Sequence, residues 1–249
     1  MSKRLFFTDL DNTLIFSKRR ELPGDKRPVE WLNGSVQSFM TQRSFDFFTS
    51  QREYEFIPVT TRTVTQFMRL NNLMDSFHCS LALVCNGSVL LRNGVPDTDW
   101  LNESRCLASE QLDELLKCQH ILARYAPEKT VRSGEELMYY VSSDDPEKLF
   151  SIVCSQVNTE LISVTRDTRK VYCVPQALSK GSALIRMRRL FPDSIFVSTG
   201  DSEADISMLN AADVCIPHPD IRRYIDKESI SADPSLTFSD AVCAALEKL

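Results

Sequence analysis

Residues 5–15 set the architecture of this chain, and they read Leu5-Phe6-Phe7-Thr8-Asp9-Leu10-Asp11-Asn12-Thr13-Leu14-Ile15. The short apolar run from Leu5 to Thr8 is typical of a buried strand, and it ends at two carboxylates, Asp9 and Asp11. Strands buried in parallel sheets present functional side chains at their carboxyl ends. Two carboxylates this close repel each other unless a cation or a shared proton neutralises them. We therefore expect a buried strand that delivers a chemically active pair of acids.

The composition is that of an ordinary globular chain. Its 249 residues are 43% hydrophobic and 25% charged, which suits one large domain or a core with an insertion. A net charge of −5 and an isoelectric point near 5.4 argue against an obligate nucleic-acid partner. We interpret the short basic runs at residues 18–20 and 186–189 as solvated faces.

The cysteines and the beginning of the chain bear on its compartment. The eight cysteines form no CxxC pair, and several lie inside apolar runs, so we expect reduced thiols in the core. The sequence opens with a strand instead of a signal peptide, and no apolar run reaches membrane-spanning length. These features predict a cytoplasmic protein with no membrane partner.

The first part of the chain alternates between strands and helices. Residues 16–34 are polar, with Pro and Gly, and predict a loop followed by a helix from about Ser35 to Ser50. Residues 54–60 predict a second strand, Thr63 can cap a helix, and residues 81–85 predict a third buried strand. This alternation is typical of a parallel sheet.

The character changes over residues 88–174. This segment predicts a hairpin at 89–95, a helix at 109–125, a strand at 137–141, a helix from Pro146, and strands at 161–165 and 170–174. Such a series forms an α+β unit of its own. Because insertions occupy loops over the functional edge of a scaffold, we expect this unit to cover the acid pair.

The alternation of helix and strand returns after the insertion. The sequence predicts a helix from Ser179 to Leu190, a strand at 195–199, a helix through Leu209, a strand at 214–216, a short strand at Ile230 and a helix at 237–249. The predicted fold class is α/β, with a doubly wound, parallel, Rossmann-like sheet and an inserted α+β cap domain. Residues 1–87 and 175–249 form the core in this prediction, and residues 88–174 form the cap.

Polar clusters fall at the ends of the predicted core elements, at Asp9 and Asp11, Thr60, Lys180, and Asp201 and Asp205. Taken singly, each has an ordinary explanation in turns and helix caps. Together they converge, because the strand ends of a parallel sheet meet at one crevice. Carboxylates without His or Cys favour a hard cation, and Mg²⁺ is the natural choice. With a hydroxyl and an ammonium group as anion donors, the set indicates phosphoryl transfer.

The same residues resemble the four motifs of the haloacid dehalogenase (HAD) superfamily. The matching segments are Asp9-Leu10-Asp11-Asn12-Thr13, Thr60, Lys180 and Gly200-Asp201-Ser202-Glu203-Ala204-Asp205. The insertion resembles the large α/β cap of the Cof-like branch, which includes sucrose-phosphate, trehalose-phosphate and mannosylphosphoglycerate phosphatases. Further similarities are Thr60-Thr61-Arg62, Asn86-Gly87 and Leu178-Ser179-Lys180-Gly181.

The resemblance implies a role for each matching residue. Asp9 would be the nucleophile that forms an aspartyl-phosphate, and Asp11 the general acid and then the base. Thr60 and Lys180 would hold the phosphoryl oxygens, with Arg62 also binding substrate. Mg²⁺ would be held by Asp9, the backbone carbonyl of Asp11 and Asp201, with Asp205 as a further ligand or support. Two residues depart from the family pattern, because Thr61 replaces Gly and Ala204 replaces Asn.

The expected function is Mg²⁺-dependent hydrolysis of a small phosphorylated metabolite, a sugar or glycoside phosphate, by a monomer or homodimer. The sequence does not rank the candidate cap contacts, which are Arg132, Glu135, Tyr139, Arg166 and Arg169. A phosphotransferase or phosphomutase with the same intermediate is one alternative. A phospho-acceptor module of the receiver type is another, although there the acceptor Asp usually follows the third strand, which here ends in Asn86.

Overall fold

The elements follow one another along a computed structural model that describes residues 3–167 and 169–249. The strands are β1 (Arg4–Thr8), β2 (Phe16–Ser17), β3 (Lys26–Leu32), β4 (Ser35–Thr41), β5 (Tyr54–Pro58), β6 (Leu81–Val84), β7 (Val89–Arg92), β8 (Val95–Pro96), β9 (Arg132–Ser133), β10 (Tyr139–Ser142), β11 (Ile162–Arg166), β12 (Lys170–Pro175), β13 (Ile195–Gly200) and β14 (Val214–Pro217). The α-helices are α1 (Gln42–Ser50), α2 (Val64–Phe67), α3 (Asn71–Ser76), α4 (Thr98–Ala108), α5 (Leu112–Tyr125), α6 (Pro146–Gln156), α7 (Lys180–Leu190), α8 (Ile206–Ala211) and α9 (Phe238–Leu246).

A parallel sheet with the order β14-β13-β1-β5 forms the centre of the core. Strand β1 lies inside it, and Leu5, Phe6 and Phe7 have no exposed surface. A strand buried on both faces reads as a continuous apolar run, which is why the sequence identified it. Strand β6 adjoins β5 through a parallel bridge between Val59 and Leu83, and β7 and β8 follow it in antiparallel order. The predicted α/β core is therefore confirmed.

Residues 16–41 differ from the prediction. They form a three-stranded antiparallel sheet with the order β2-β4-β3, so the predicted loop at 16–34 and the helical assignment of residues 35–41 are wrong. Asn33 and Gly34 both have positive φ, 50° and 75°, and form the tight turn between β3 and β4. The helix begins only at Gln42, where the Thr41 hydroxyl accepts a hydrogen bond from the Ser44 N–H at 3.2 Å.

Smaller differences occur elsewhere. The predicted helix at 109–125 begins at Leu112 and is preceded by a separate helix, α4, that the sequence did not indicate. The predicted second strand ends at Pro58, two residues early. Ile230 lies outside the strands, although its N–H donates to the Cys215 carbonyl at 2.9 Å.

The basic run at residues 186–189 is not wholly solvated. Arg186 is only 5% exposed, and its guanidinium lies 3.6 Å from the centroid of the Trp100 ring. It also donates to the Trp100 carbonyl at 2.7 Å. These contacts join α4 to α7. Helix α4 and strands β7 and β8 thus lie against the core, while the division of the chain at residues 88 and 174 stays a prediction.

The inserted unit is built on an antiparallel sheet with the order β11-β12-β10-β9. Helices α5 and α6 cover one face, with Leu115, Leu122 and Val153 in a shared apolar cluster. Tyr140 and Tyr172 belong instead to the large apolar cluster of the core. The sheet is therefore held between its own helices and the core.

The thiols match the expectation of core cysteines only in part, because Cys106 is exposed and Cys79 and Cys154 are half-buried. The eight cysteines are free, and Cys85, Cys118, Cys173, Cys215 and Cys243 are buried. Across the described residues, no helix combines the length and apolar character needed to span a membrane.

Candidate active site

The turn after β1 separates the two acids of the first motif. The N–H of Asp9 donates to the Thr199 carbonyl of β13 at 3.1 Å, which continues the parallel pairing. The N–H groups of Leu14 and Ile15 both donate to the Leu10 carbonyl, at 3.0 and 2.9 Å, and Asn12 takes a φ of 65°. Asn tolerates this left-handed conformation better than most residues. As a result Asp9 is buried at 7% exposure.

Lys180 forms the centre of a buried ionic cluster. Its ammonium group donates to Oδ1 of Asp9 and to Oδ1 of Asp205, both at 2.6 Å, and the residue is 1% exposed. Burial alone would lower the pKa of Lys180, but the two carboxylates outweigh it and raise that pKa above its ordinary value. Lys180 therefore stays charged.

The position of Lys180 depends on the glycine that follows it. A Cβ on Gly181 would lie 2.6 Å from the Ser207 carbonyl oxygen of α8. The absence of a side chain lets the first turn of α7 approach α8 closely. Ser179 caps this turn, and its hydroxyl accepts from the Ser182 N–H at 3.0 Å.

Asp205 is held by the loop that follows β13. Its Oδ2 accepts from the N–H groups of Asp201 and Ser202, at 3.1 and 2.9 Å, and from the Ser202 hydroxyl at 2.8 Å. With Lys180 on Oδ1, both oxygens of Asp205 are occupied by protein donors. A Cβ on Gly200 would lie 2.5 Å from Cγ of Asp205, so this strand end requires glycine.

Asp9, Asp201 and Asp205 provide a set of oxygens suited to a metal ion. One carboxylate oxygen from each lies within 4.8 Å of the others. Burial and the neighbouring carboxylates raise the pKa of Asp9 well above its ordinary value, although Lys180 opposes them. Burial and Asp205 likewise raise the pKa of Asp201 to about 7. One ammonium group does not neutralise three carboxylates, and a hard divalent cation with oxygen ligands fits the remaining charge.

Asp11 lies outside this cluster and pairs with Arg62. Nε of Arg62 donates to Oδ2 of Asp11 and Nη2 to Oδ1, both at 2.8 Å, and the Asp11 side chain is half exposed. Burial of its surroundings raises the pKa of Asp11, but the charge and hydrogen bonds of Arg62 outweigh it, so the pKa is lowered overall. Asp11 in this pair is a carboxylate.

Glu30 of β3 anchors the same arginine, a role that the sequence analysis missed. Its carboxylate accepts a hydrogen bond from Nη2 of Arg62 at 3.0 Å and forms an ion pair with Nε of Arg69 at 3.1 Å, at 2% exposure. The Ser38 hydroxyl of β4 also donates to it, at 2.7 Å. The antiparallel sheet of residues 16–41 thus fixes Arg62, and through it Asp11.

Thr60 lies at the predicted strand end but is fully buried. Its hydroxyl accepts from the Arg62 N–H at 3.2 Å, and its own N–H donates to the Leu83 carbonyl at 2.9 Å. The next residue, Thr61, lines the cavity beside Asp9 and Asp11. Thr61 is not among the residues with positive φ, so threonine fits the position where the family has glycine.

The inserted sheet covers the acids and closes a small cavity of about 70 Å³. Core residues Asp9, Lys180 and Asp201 line it together with Arg166 and Tyr172 of the insertion. A neighbouring cavity of about 470 Å³ shares Asp11 and Tyr172. The insertion thus lies over the acid pair as expected, but it leaves the Asp11 side chain half exposed.

Of the candidate cap contacts, Arg166 lines the smaller cavity and Arg169 the larger one. Arg132, Glu135 and Tyr139 line neither. The sequence did not single out Tyr172, Asp167 or Lys170, which follow or form the turn between β11 and β12. The polar turn predicted between the two strands was the only feature of the sequence that could have indicated these residues.

The acid cluster lies at the carboxyl edge of a parallel α/β sheet, which is where open sheets of this class bind their ligands. Comparison with solved structures identifies the fold more closely. Sucrose-phosphatase from Synechocystis sp., solved with sucrose and phosphate, matches with a TM-score of 0.65 at 15% identity, covering 100% of this chain and 98% of that chain. A HAD subclass IIB sugar phosphatase matches with a TM-score of 0.66 at 11% identity, covering 99% and 98%. A HAD phosphatase from Bacteroides thetaiotaomicron matches with a TM-score of 0.55 at 16% identity, covering 99% and 95%.

No family model matches the chain, and no curated protein sequence matches it significantly. The structural matches extend over core and insertion alike, so the chain has the fold of the HAD-superfamily sugar phosphatases throughout its length. This confirms the resemblance at the level of the fold. The receiver-type alternative is not supported, since it leaves the insertion without a counterpart.

Proposed function

We propose that this chain is a Mg²⁺-dependent phosphatase that hydrolyses small phosphate monoesters through an aspartyl-phosphate on Asp9. The observation that carries the proposal is the arrangement of Asp9. Lys180 holds Oδ1 at 2.6 Å, while Oδ2 receives no protein donor among the described residues. One oxygen of this buried carboxylate is thus fixed, and the other remains for attack on phosphorus.

The reaction has two halves. In the first, an oxygen of Asp9 forms a bond to phosphorus, the bond from phosphorus to the leaving oxygen breaks, and Asp11 gives that oxygen a proton. In the second, the oxygen of a water molecule forms a bond to the phosphorus of the aspartyl-phosphate and the bond from phosphorus to the Asp9 oxygen breaks. Asp11 accepts a proton from the water, inorganic phosphate is released and the Asp9 carboxylate is restored. Lys180 stabilises negative charge on Asp9 and on the phosphoryl oxygens throughout.

The pairing of Asp11 with Arg62 suits the second half directly, because the paired carboxylate is the basic form. For the first half Asp11 must carry a proton. A substrate phosphate beside Asp11 favours this form, since like charge raises the pKa of a carboxyl group and the phosphate competes for Arg62. In this role Arg62 alternates between Asp11 and the substrate, as the predicted substrate-binding role requires.

The proposed Mg²⁺ ligands are the carboxylates that protein donors do not fully occupy. Asp9 and Asp201 would ligate Mg²⁺ directly with the Asp11 carbonyl, whereas Asp205, whose oxygens are both occupied, would orient Lys180 and the loop. When bound, Mg²⁺ supplies positive charge that lowers the pKa of Asp9 and stabilises the phosphoryl group. Thr60 would contribute only its backbone and its contact to Arg62 unless its hydroxyl is exposed on substrate binding.

The substrate class is supported by the sugar phosphatases that share the fold, and we propose a sugar or glycoside phosphate. The phosphotransferase or phosphomutase alternative uses the same aspartyl-phosphate but passes the phosphoryl group to another hydroxyl. Release of inorganic phosphate separates hydrolysis from transfer. The cytoplasmic location and the monomer or homodimer state stay predictions.

The direct test is a screen of the purified protein against phosphorylated metabolites, with and without Mg²⁺, measuring inorganic phosphate. Turnover should require Mg²⁺ and should be lost in Asp9→Asn, which keeps the size of the side chain. Circular dichroism shows whether that variant stays folded. Measurable turnover by folded Asp9→Asn would overturn the nucleophile assignment.

A further inference from the structure

The larger cavity beside the site has a distinct electrostatic character. It measures about 470 Å³, and we name it the basic cavity because five basic and two acidic side chains line it: Arg19, Arg20, Arg62, Arg169 and Lys170, with Asp11 and Asp167. The chain as a whole carries a net charge of −5. Positive charge is therefore concentrated here against the balance of the molecule.

The two acids do not neutralise this cavity. Asp11 is already matched by Arg62 in the bidentate pair. Oδ1 of Asp167 accepts the backbone N–H of Arg169 at 3.1 Å, so Asp167 is used in the turn between β11 and β12. Within the described residues, the other four cations form no ion pair, whereas nearby Arg166 pairs with Glu147.

The cations come from three separate parts of the chain. Arg19 and Arg20 follow β2, Arg62 follows β5, and Arg169 and Lys170 belong to the insertion. Two of them rest on aromatic rings, with Lys170 5.7 Å from the Tyr172 centroid and Arg20 5.0 Å from the Phe16 centroid. Cation–π contacts orient a charge without neutralising it. The convergence of core and insertion cations leaves a positive lining, in which Arg19, Arg20 and Arg169 are exposed to solvent.

The chemistry of the site indicates what enters this cavity. Asp11 lines both cavities, whereas Asp9, Lys180 and Asp201 line only the smaller one. Because Asp11 protonates the leaving oxygen in the proposed reaction, the leaving group lies beside Asp11, and the adjoining space is the basic cavity. Its volume falls within the range of small-molecule sites, roughly 300–1,000 Å³. A neutral leaving group would bring no charge to match this lining.

We propose that the basic cavity binds a second anionic group on the leaving group, so that the preferred substrate is a phosphate monoester that also carries a carboxylate or a second phosphate. This inference rests on the proposed function and specifies its substrate class. Charge-assisted hydrogen bonds from Arg and Lys provide the recognition.

The test compares kcat/KM within matched pairs and triples of substrates. The first set shares a three-carbon skeleton: glycerol 1-phosphate, 3-phosphoglycerate and glycerol 1,3-bisphosphate. The second set compares glucose 6-phosphate with 6-phosphogluconate, and the third compares fructose 6-phosphate with fructose 1,6-bisphosphate. In each set, the charged member carries a second anionic group and the neutral member carries only the phosphate ester. We expect kcat/KM of the charged member to exceed that of the neutral member roughly tenfold or more in at least one set, as charge-assisted contacts provide. The carboxylate and phosphate arms show which anion is preferred.

The double variant R169A/K170A removes two of the unpaired cations from the turn of the insertion. It should reduce the ratio of charged to neutral kcat/KM towards one, and added salt should reduce the ratio in the wild type. The matched control is R124A/K148A, which removes two exposed cations from helices α5 and α6 that line neither cavity. The control should keep the wild-type ratio.

Two results overturn the inference. One is equal kcat/KM for charged and neutral members in every set, and the other is a preference that R169A/K170A leaves unchanged. Either result is compatible with phosphatase activity, because the neutral esters report hydrolysis independently. Absence of turnover with every ester, with Mg²⁺ present and the fold intact, instead contradicts the proposed function itself and the inference with it.

Discussion

At the scale of single residues, Lys180 is the cation that joins the buried carboxylates of the site. Its ammonium group bridges Asp9 and Asp205 at 1% exposure, so the three charges are removed from water together. Removing one partner of a buried ion pair leaves an uncompensated charge in a medium that solvates it poorly. The cluster is therefore stable only as a unit.

We expect Lys180→Met to destabilise the metal-free protein by about 3 kcal/mol, as measured by urea denaturation. Asp205→Asn in the same background should recover part of the loss, because it removes one of the abandoned carboxylates. Lys117→Met is the matched control. Its pair with Glu114 lies on the surface, and such pairs contribute about 0–1 kcal/mol. Equal effects at positions 180 and 117 would refute the importance of burial.

The pKa of Asp201 gives a prediction for pH. Burial and Asp205 raise this pKa from 3.8 to about 7, so the folded chain binds a proton more tightly than the unfolded chain. The associated stability is present below pH 3.8 and is lost as the pH rises towards 7. Asparagine resembles the protonated form. In thermal melts without metal, the melting temperature of Asp201→Asn should rise relative to that of the wild type between pH 5 and pH 8. Added Mg²⁺ should raise the melting temperature of the wild type much more than that of Asp201→Asn. A difference in melting temperature that does not change with pH would contradict this.

Arg62 should control the proton transfer by Asp11. Lysine keeps the charge but lacks the fork that contacts both oxygens of Asp11, so we expect Arg62→Lys to lower kcat roughly tenfold or more. Because Arg62 lowers the pKa of Asp11, the acidic limb of the kcat profile should move to higher pH. Arg69→Lys is the control, since Arg69 contacts Glu30 but not Asp11. A rise in KM with unchanged kcat and an unchanged pH profile would assign Arg62 to substrate binding alone.

At the scale of elements, glycines determine how closely the site elements approach. Gly200 ends β13 against Asp205, and Gly181 lets α7 meet α8. Each glycine occupies a place where a methyl group would collide with backbone or with a carboxylate that is itself held by several donors. The position of Lys180 therefore depends on Gly181, and that of Asp205 depends on Gly200.

We expect Gly200→Ala to weaken Mg²⁺ binding and activity together, because the added Cβ would lie 2.5 Å from Cγ of Asp205 and displace it. Calorimetric titration with Mg²⁺ and phosphate release measure the two effects. Gly34→Ala provides the comparison. It adds strain of roughly 1 kcal/mol at a φ of 75° but has no atom within 4 Å of the new Cβ. It should lower stability and leave Mg²⁺ affinity unchanged; equal losses of affinity would contradict the displacement.

The elements also show how far sequence reasoning extends. The core strands were predictable because a strand buried on both faces consists of consecutive apolar residues, as in Leu5 to Thr8. The β3–β4 hairpin was missed although Asn33-Gly34 carries the same turn signal as Asn93-Gly94. Its two seven-residue strands show no regular alternation of buried and exposed residues, so the strand pattern is weak. The helix that begins at Gln42 follows directly, which made the whole segment resemble a helix.

The site divides in the same way. Asp9, Lys180, Asp201 and Asp205 follow from their positions at element ends, and the structure brings them together. The role of Glu30 could not be predicted, because its contact with Arg62 joins residues 32 positions apart through a sheet that the sequence analysis missed. The cap residues depend on how the insertion docks, which is decided by tertiary contacts and not by local pattern.

At the scale of the whole molecule, core and insertion share one apolar cluster. Leu137, Tyr140 and Tyr172 of the insertion pack in the same cluster as Val84 and Cys85 of the core. Separating the two parts would expose this surface to water, at a cost of about 25 cal/mol per Å² of apolar area. The insertion is thus an integral part of the folded chain.

We therefore expect a single cooperative unfolding transition. Urea curves recorded by far-ultraviolet circular dichroism and by tryptophan fluorescence in a Trp31→Phe background should coincide, since Trp100, the remaining tryptophan, is 5% exposed and reports on the core side. Tyr140→Ala, which removes a 2% exposed ring from the shared cluster, is the informative variant. It should separate the two curves. Separate transitions in the wild type would show that the insertion folds independently.

The saturation of Asp205 has a consequence for the life of the protein in a cell. Its carboxylate is held by Lys180, Ser202 and the backbone, so the loop that presents Asp201 keeps its shape without a metal ion. A protein whose binding loop is already ordered does not spend binding energy on folding it. Under the proposed function, a fall in free Mg²⁺ would stop turnover while this loop keeps its conformation, and turnover would resume once the ion binds again.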